Sequence, residues 1–153
     1  MFNVNARAPM LLAHALLPRL QARASGGIIF TGSVEGEAPY PFSAVYAATK
    51  AFVHGLGMSL YGELAGTGVD VLVLAPGATD TDAITLQGFK RELMPGLMPP
   101  AEQALRQLGK VPLHVPGAEN RKYVSMLRRM PREKLIAFTA QAMSAAIAAS
   151  ARS

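Results

Sequence analysis

Hydrophobic positions change period several times along the chain. Between residues 5 and 23, Leu12, Leu16 and Leu20 recur at the four-residue step of a single helix face. Pro9 falls early, where a helix tolerates it, and Pro18 predicts a kink or a loosened last turn. Ser25-Gly26-Gly27 then breaks the helix, and Ile28-Ile29-Phe30-Thr31 follows as a continuous apolar run, the composition of a strand covered on both faces. A loop rich in Gly and Pro, from Gly32 to Pro41, leads to Ser43. That residue reads as the N-cap of a helix running to about Leu64, closed by Gly66 and Gly68. Val69-Asp70-Val71-Leu72-Val73-Leu74 predicts a second strand, stopped by Ala75-Pro76-Gly77. Residues 78–100 are full of breakers and predict only short helices, whereas 101–108 reads as helical. Val111-Pro112-Leu113-His114-Val115 predicts a third strand whose proline confines it to an edge. An Ala-rich helix is expected from about Glu133.

Alternating helices and strands predict an α/β fold with a parallel sheet of about three strands. The pattern opens on a helix with no strand before it. A doubly wound sheet that starts in this way leads to the expectation that the chain is truncated at its N-terminus.

The length of 153 residues suits one domain, and half the residues are hydrophobic with 16% charged, which excludes a disordered or fibrous chain. The absence of cysteine excludes disulfides and thiolate metal sites, and no metal is expected. No apolar run reaches the roughly 20 residues of a membrane span. Arg7, the run from Met10 to Leu17 and Ala22-Arg23-Ala24 imitate a secretion signal. However, the run contains His14 and ends at Pro18, and a helix packed on a sheet accounts for the same residues. A cytoplasmic protein that binds neither membrane nor nucleic acid is expected. The net charge of +5 sits in the second part of the chain: residues 87–153 hold eleven Lys and Arg against four Asp and Glu. Its densest stretch, Arg121 to Arg132, reads as a solvated helix face.

The candidate chemistry begins with Tyr46-Ala47-Ala48-Thr49-Lys50, inside the helix that opens near Ser43. Residues at i and i+4 share a helix face, so phenol and ammonium can be neighbours. At ~4 Å and an effective dielectric near 20, their attraction is worth about 4 kcal/mol, enough to draw a phenol from ~10 toward neutral pH if desolvation does not cancel it. Such a tyrosine can give a proton to a carbonyl or take one from an alcohol. A Tyr and a Lys at this spacing also occur on any amphipathic helix, so context decides. Ser33 stands thirteen residues earlier, just past a strand end, where open α/β sheets bind ligands and where a hydroxyl can donate to a developing oxyanion.

Together, Gly32-Ser33, the step to Tyr46, Tyr46-x-x-x-Lys50, and Pro76-Gly77 after the next strand resemble the short-chain dehydrogenase/reductase family. Val4-Asn5 with Leu11, Leu12, Ala15, Leu17 and Pro18 is similar to that family's helix before the Ser-bearing strand. The resemblance covers roughly residues 2–82 as a catalytic core and thins over 83–115, a substrate-lid segment and last strand. Residues 116–153 follow as basic and Ala-rich C-terminal helices.

The resemblance implies a partial Rossmann-type sheet and hydride transfer between NAD or NADP and an apolar carbonyl or secondary alcohol. It implies Tyr46 as general acid/base, Lys50 lowering its pKa and holding the nicotinamide ribose, Ser33 orienting the substrate oxygen, and Asn5 holding a relay water. Pro76, Gly77 and Thr81 would line the nicotinamide side. Leu86, Phe89, Leu93, Met94, Leu97 and Met98 suggest an apolar lid over the substrate or, equally, packing in an interface with a neighbouring subunit. A homodimer or homotetramer built through the helices at 5–23 and 43–65 is also implied.

Neither Thr-Gly-x-x-x-Gly-x-Gly nor Gly-x-Gly-x-x-Gly occurs in the sequence, so the cradle for the cofactor pyrophosphate is expected to belong to a missing front segment. The competing reading is an inactive fragment or pseudoenzyme acting only through oligomer contacts. Serine hydrolysis through Ser33 and His54 fits poorly, because Ser33 is not in Gly-x-Ser-x-Gly and no acid is evidently placed to orient His54.

Overall fold

A computed structural model describes residues 1–79 and 101–151. Its centre is a sheet of three parallel strands in the order β1-β2-β3: β1 (Gly26–Thr31), β2 (Val69–Leu74) and β3 (Leu113–His114). A π-helical turn, Asn3–Arg7, runs directly into α1 (Ala8–Arg23). The 20-residue α2 (Ala44–Glu63) crosses between β1 and β2. The later helices are α3 (Ala101–Gln107), α4 (Ala118–Leu127) and α5 (Arg132–Ala151).

Alternation along β2 explains the layering. Val69, Val71 and Val73 point to one face, where Phe30, Ala13 of α1 and Val53 of α2 complete a core. Leu72 and Leu74 point to the other and pack on Ala104 of α3, with Leu108 and Val111 beside it. Helices therefore cover both faces of a parallel sheet, the doubly wound arrangement expected from the strand composition. The helix α2 approaches the sheet closely at Gly57, where an added Cβ would run into Val73 and Phe30. A third core joins Ala38, Tyr40 and Ala47 to Leu127 of α4 and Phe138 of α5, tying the C-terminal helices to the loop after β1.

Some boundaries differ from expectation for identifiable reasons. The helix α1 continues through Pro18 to Arg23 and ends on Ala24, whose φ of 48° gives a left-handed cap. Pro18 and His14 are both exposed, so the carbonyl that loses its donor lies on the solvent side. The strand β3 is shorter than Val111–Val115, and Pro112 serves it as an acceptor only: its carbonyl takes the Val73 N–H at 2.9 Å. Ser43 does occupy the cap position of α2, but its hydroxyl does not cap the helix; it donates to Glu35 at 2.7 Å instead. Among the described residues no strand lies on the outer edge of β1. No described helix is long and apolar enough to cross a membrane. Thr81 and the expected lid residues from Leu86 to Met98 lie outside the described residues.

Candidate active site

The loop after β1 is stitched to the loop after β2. The N–H of Gly32 donates to the Leu74 carbonyl at 2.7 Å, and that of Val34 to the Pro76 carbonyl at 3.0 Å. This brings Ser33 and the Pro76-Gly77 turn to the same C-terminal edge of the sheet, where a doubly wound fold binds its ligands. Ser33 is buried, and its Oγ accepts the Glu35 N–H at 3.2 Å at the head of a 3-10 turn, Val34–Glu37. With that lone pair engaged, the hydroxyl proton is left to donate elsewhere.

Tyr46 and Lys50 stand one turn apart on α2. The Ser33 side chain lies beside the Tyr46 phenol. Lys50 is 9% exposed; its Nζ donates to the Thr31 carbonyl at 2.8 Å and lies 5.5 Å from the centre of the Tyr46 ring.

The electrostatics differ from the expectation that Lys50 draws the phenol down. Burial raises Tyr46 above its ordinary value; the Ser33 hydroxyl pulls it down, the Glu35 carboxylate pushes it up, and burial prevails. Burial likewise lowers Lys50 from its ordinary value. The ammonium is engaged by the Thr31 carbonyl, and desolvation outweighs attraction here.

Asn5 is inside the π-helical turn, so it is not an N-cap, and such turns often mark functional positions. Its Nδ2 reaches Thr49 Oγ1 at 3.4 Å, and that hydroxyl donates to the Tyr46 carbonyl at 2.7 Å. Asn5 therefore touches α2 next to Lys50, while the neighbouring Asn3 is exposed. Gly77 is close-packed for an internal reason: an added Cβ would meet the Asn120 side chain at 2.5 to 2.8 Å.

One acid was missed by sequence reasoning. His54 is buried, with Nδ1 3.3 Å from Glu37 Oε1 and Nε2 accepting the backbone N–H of Ser33 at 3.3 Å. An acid does orient His54, contrary to expectation. Hydrolysis fails on other grounds, because the imidazole lone pair that a base would need is taken by the main chain of Ser33. Glu37 is held in turn by Arg128, the C-cap residue of α4, whose Nε and terminal nitrogen both lie 2.8 Å from Oε2. Burial alone would raise the Glu37 carboxyl; the hydrogen bonds from His54 and Arg128 outweigh it and hold it below its ordinary value.

A family model described as short chain dehydrogenase matches residues 1–89. Sulfoacetaldehyde reductase 2 of Chromohalobacter salexigens is 42% identical over 83 residues, 54% of this chain and 33% of that protein. A 7β-hydroxysteroid dehydrogenase structure aligns with a TM-score of 0.82 at 25% identity, covering 91% of this chain and 57% of that one. A short chain dehydrogenase of Burkholderia cenocepacia in complex with NADP aligns with a TM-score of 0.69 at 25% identity, covering 89% and 56%. The chain thus spans about a third of the length of the curated relatives it matches and a little over half that of these structures. The matched stretch contains Asn5, Ser33, Tyr46 and Lys50 together with both long strands, and on that footing the chain belongs to the short chain dehydrogenase family.

Proposed function

We propose that this chain supplies the proton-transfer end of an NAD(P)-dependent oxidoreductase acting on a carbonyl or secondary alcohol, with Tyr46 as general acid/base. The observation that carries the reading is the meeting of the Ser33 hydroxyl, the Tyr46 phenol and the buried Lys50 ammonium where β1 ends. A phenol raised above its ordinary value is protonated at neutral pH, the form that donates to a carbonyl oxygen. Ser33, its Oγ already accepting from Glu35, donates to the same oxygen and holds the carbonyl in line with the phenol.

The residues present fit one end of a nicotinamide cofactor. Among the described residues the Lys50 ammonium has one hydrogen-bond partner, the Thr31 carbonyl, which leaves two donors for ribose hydroxyls. The cofactor, when bound, supplies or accepts the hydride. Pro76, Gly77 and Thr81 are read as lining its nicotinamide side. The NADP held by the Burkholderia relative supports this choice of cofactor, and the sulfoacetaldehyde reductase supports an aldehyde or ketone as substrate.

Pairing of two copies through α1 and α2 belongs to the same reading. The helix α1 exposes Leu11, Leu12 and Leu16, and α2 exposes Val45, Phe52 and Met58. Of the small residues that would permit close approach, Ala6, Ala13 and Ala47 are already buried within the chain and Ala8 is half-buried, whereas Ala51, Gly55 and Gly62 are exposed to a partner.

The test is NADPH consumption with small aldehydes and ketones by a protein joining this chain to a relative's nucleotide-binding segment. Tyr46→Phe is expected to lower turnover by about 10²- to 10⁴-fold with cofactor affinity unchanged. Near-normal turnover in that variant would remove Tyr46 from the mechanism.

A further inference from the structure

Proton transfer at Tyr46 gives no role to the buried cluster behind it. His54 is 3% exposed and has both ring nitrogens committed. Since Nε2 accepts the Ser33 N–H, the proton of the neutral ring is assigned to Nδ1, facing Glu37.

The backbone is shaped around this ring. An added Cβ at Gly32 would meet His54 Nε2 and Cδ2, the latter at 2.6 Å, and one at Gly36 would meet Nε2 and Cε1 at 2.9 Å. Two glycines thus leave the space the imidazole fills. Glu37 reaches the ring from the 3-10 turn, with its carboxylate 7% exposed. Arg128 clamps that carboxylate from α4, ninety-one residues further along the chain. The other charged groups nearby are Lys50, one turn earlier on α2, and Glu35, whose carboxylate takes the Ser43 hydroxyl.

We propose that His54 is a positioning residue: held by Glu37 and Arg128, it fixes the backbone of Ser33 so that the Ser33 hydroxyl stays against Tyr46. The inference rests on the proposed pairing of Ser33 with Tyr46 at a substrate oxygen. It extends that pairing by linking α4, outside the matched family segment, to the alignment of the hydroxyl. A movement of α4 that withdraws Arg128 frees the Glu37 carboxylate, loosens the ring and lets Ser33 drift from the phenol.

The test uses the 153-residue chain and no turnover assay. Tyrosine labelled at 13Cζ reports the titration of Tyr46, assigned by its loss in Tyr46→Phe. His54→Phe is expected to raise the Tyr46 midpoint by about half a pH unit, as Ser33→Ala does, because each removes the hydroxyl that draws the phenol down. His54→Gln, whose amide oxygen can accept the Ser33 N–H, is expected to restore the midpoint. Arg128→Met, which removes a half-exposed guanidinium, is expected to shift it the same way by less. Exchange of the Ser33 amide with solvent is expected to quicken at least about tenfold in His54→Phe and to recover in His54→Gln.

Ring 15N shifts in the unsubstituted chain are expected to show Nδ1–H, a readout that survives if His54→Phe does not fold; an Nε2–H ring overturns the proposal. So does a Ser33 amide exchanging equally fast in His54→Phe and in the unsubstituted chain. A Tyr46 midpoint that moves in neither Ser33→Ala nor His54→Phe, with the Ser33 amide still released, overturns the Ser33–Tyr46 pairing itself and thereby the proposed function.

Discussion

The ammonium of Lys50 donates to the Thr31 carbonyl at 2.8 Å, and the same nitrogen lies 5.5 Å from the centre of the Tyr46 ring. The charge is engaged at the end of β1, and burial remains the largest influence on the phenol. In this chain Tyr46 is therefore expected to titrate above the ordinary tyrosine value. Lys50, desolvated, is expected to titrate below the ordinary lysine value. Carbon-13 NMR of labelled tyrosine and of reductively methylated lysine reads both. A Tyr46 midpoint near neutral pH would show attraction outweighing burial and reverse the account of the site.

Glu37 gives a pH dependence with a definite sign. Its carboxyl in the folded chain lies below the ordinary carboxylate value. The stability it contributes is thus fully present above the ordinary value near 4 and is lost as pH falls through the folded one. Chemical denaturation of the unsubstituted chain is expected to weaken more steeply between about pH 5 and 3 than that of Glu37→Gln. Near neutral pH, Glu37→Ala is expected to cost about 1–3 kcal/mol, because it strands the buried Nδ1–H of His54. Parallel pH slopes for the chain and Glu37→Gln would remove Glu37 from the acid response.

Gly32 is required by a neighbouring side chain, since its φ is not in the left-handed region. An added Cβ would press on Nε2 and Cδ2 of His54. Gly32→Ala is expected to destabilise the chain by about 1–3 kcal/mol through overpacking and loss of the Ser33 N–H acceptor. In a His54→Ala background the same change is expected to cost markedly less, which a double-mutant cycle by urea denaturation measures. Equal costs in both backgrounds would mean that Gly32 answers to the Leu74 carbonyl instead, 3.1 Å from the added carbon.

The fold was legible where burial writes a period into the chain. Val69–Leu74 is a strand over the whole predicted run, because alternate residues meet helices on opposite faces. Helix boundaries read less well: the turn at Asn3–Arg7 and the passage of α1 through Pro18 depend on which carbonyls face solvent, which periodicity does not encode. The proximity of the candidates Tyr46 and Lys50 on one helix, and of Ser33 at a strand end, was readable because helix spacing and a strand end constrain them locally. Glu37 carried a faint signal, four residues past Ser33 in a tight turn. Arg128 carried none, since its contact with Glu37 spans ninety-one residues and depends on how α4 docks. The phenol's upward shift was also hidden, because the sequence gives the distance from Tyr46 to Lys50 but not the depth of either.

Cofactor binding separates the enzyme reading from that of an inactive chain. A dinucleotide is held chiefly through its pyrophosphate, which needs converging backbone N–H groups at a helix N-terminus preceded by a glycine-rich turn. The sequence contains no such glycine pattern. What the described residues offer is the Lys50 ammonium and the turn at Pro76-Gly77, one face of which is filled by Asn120. In the proposed mode these contacts would meet the nicotinamide end and leave the phosphates in water. The 153-residue chain is therefore expected to bind NADPH more weakly than about 0.1 mM by calorimetric titration. What binding there is should fall further in Lys50→Met and be little changed in Tyr46→Phe, since the role proposed for the phenol is to move a proton. Micromolar affinity that survives Lys50→Met would place the dinucleotide elsewhere. The basic surface of α4 at Arg121, Lys122 and Arg129 would be the first place to look, and binding there would disconnect the cofactor from Tyr46 altogether.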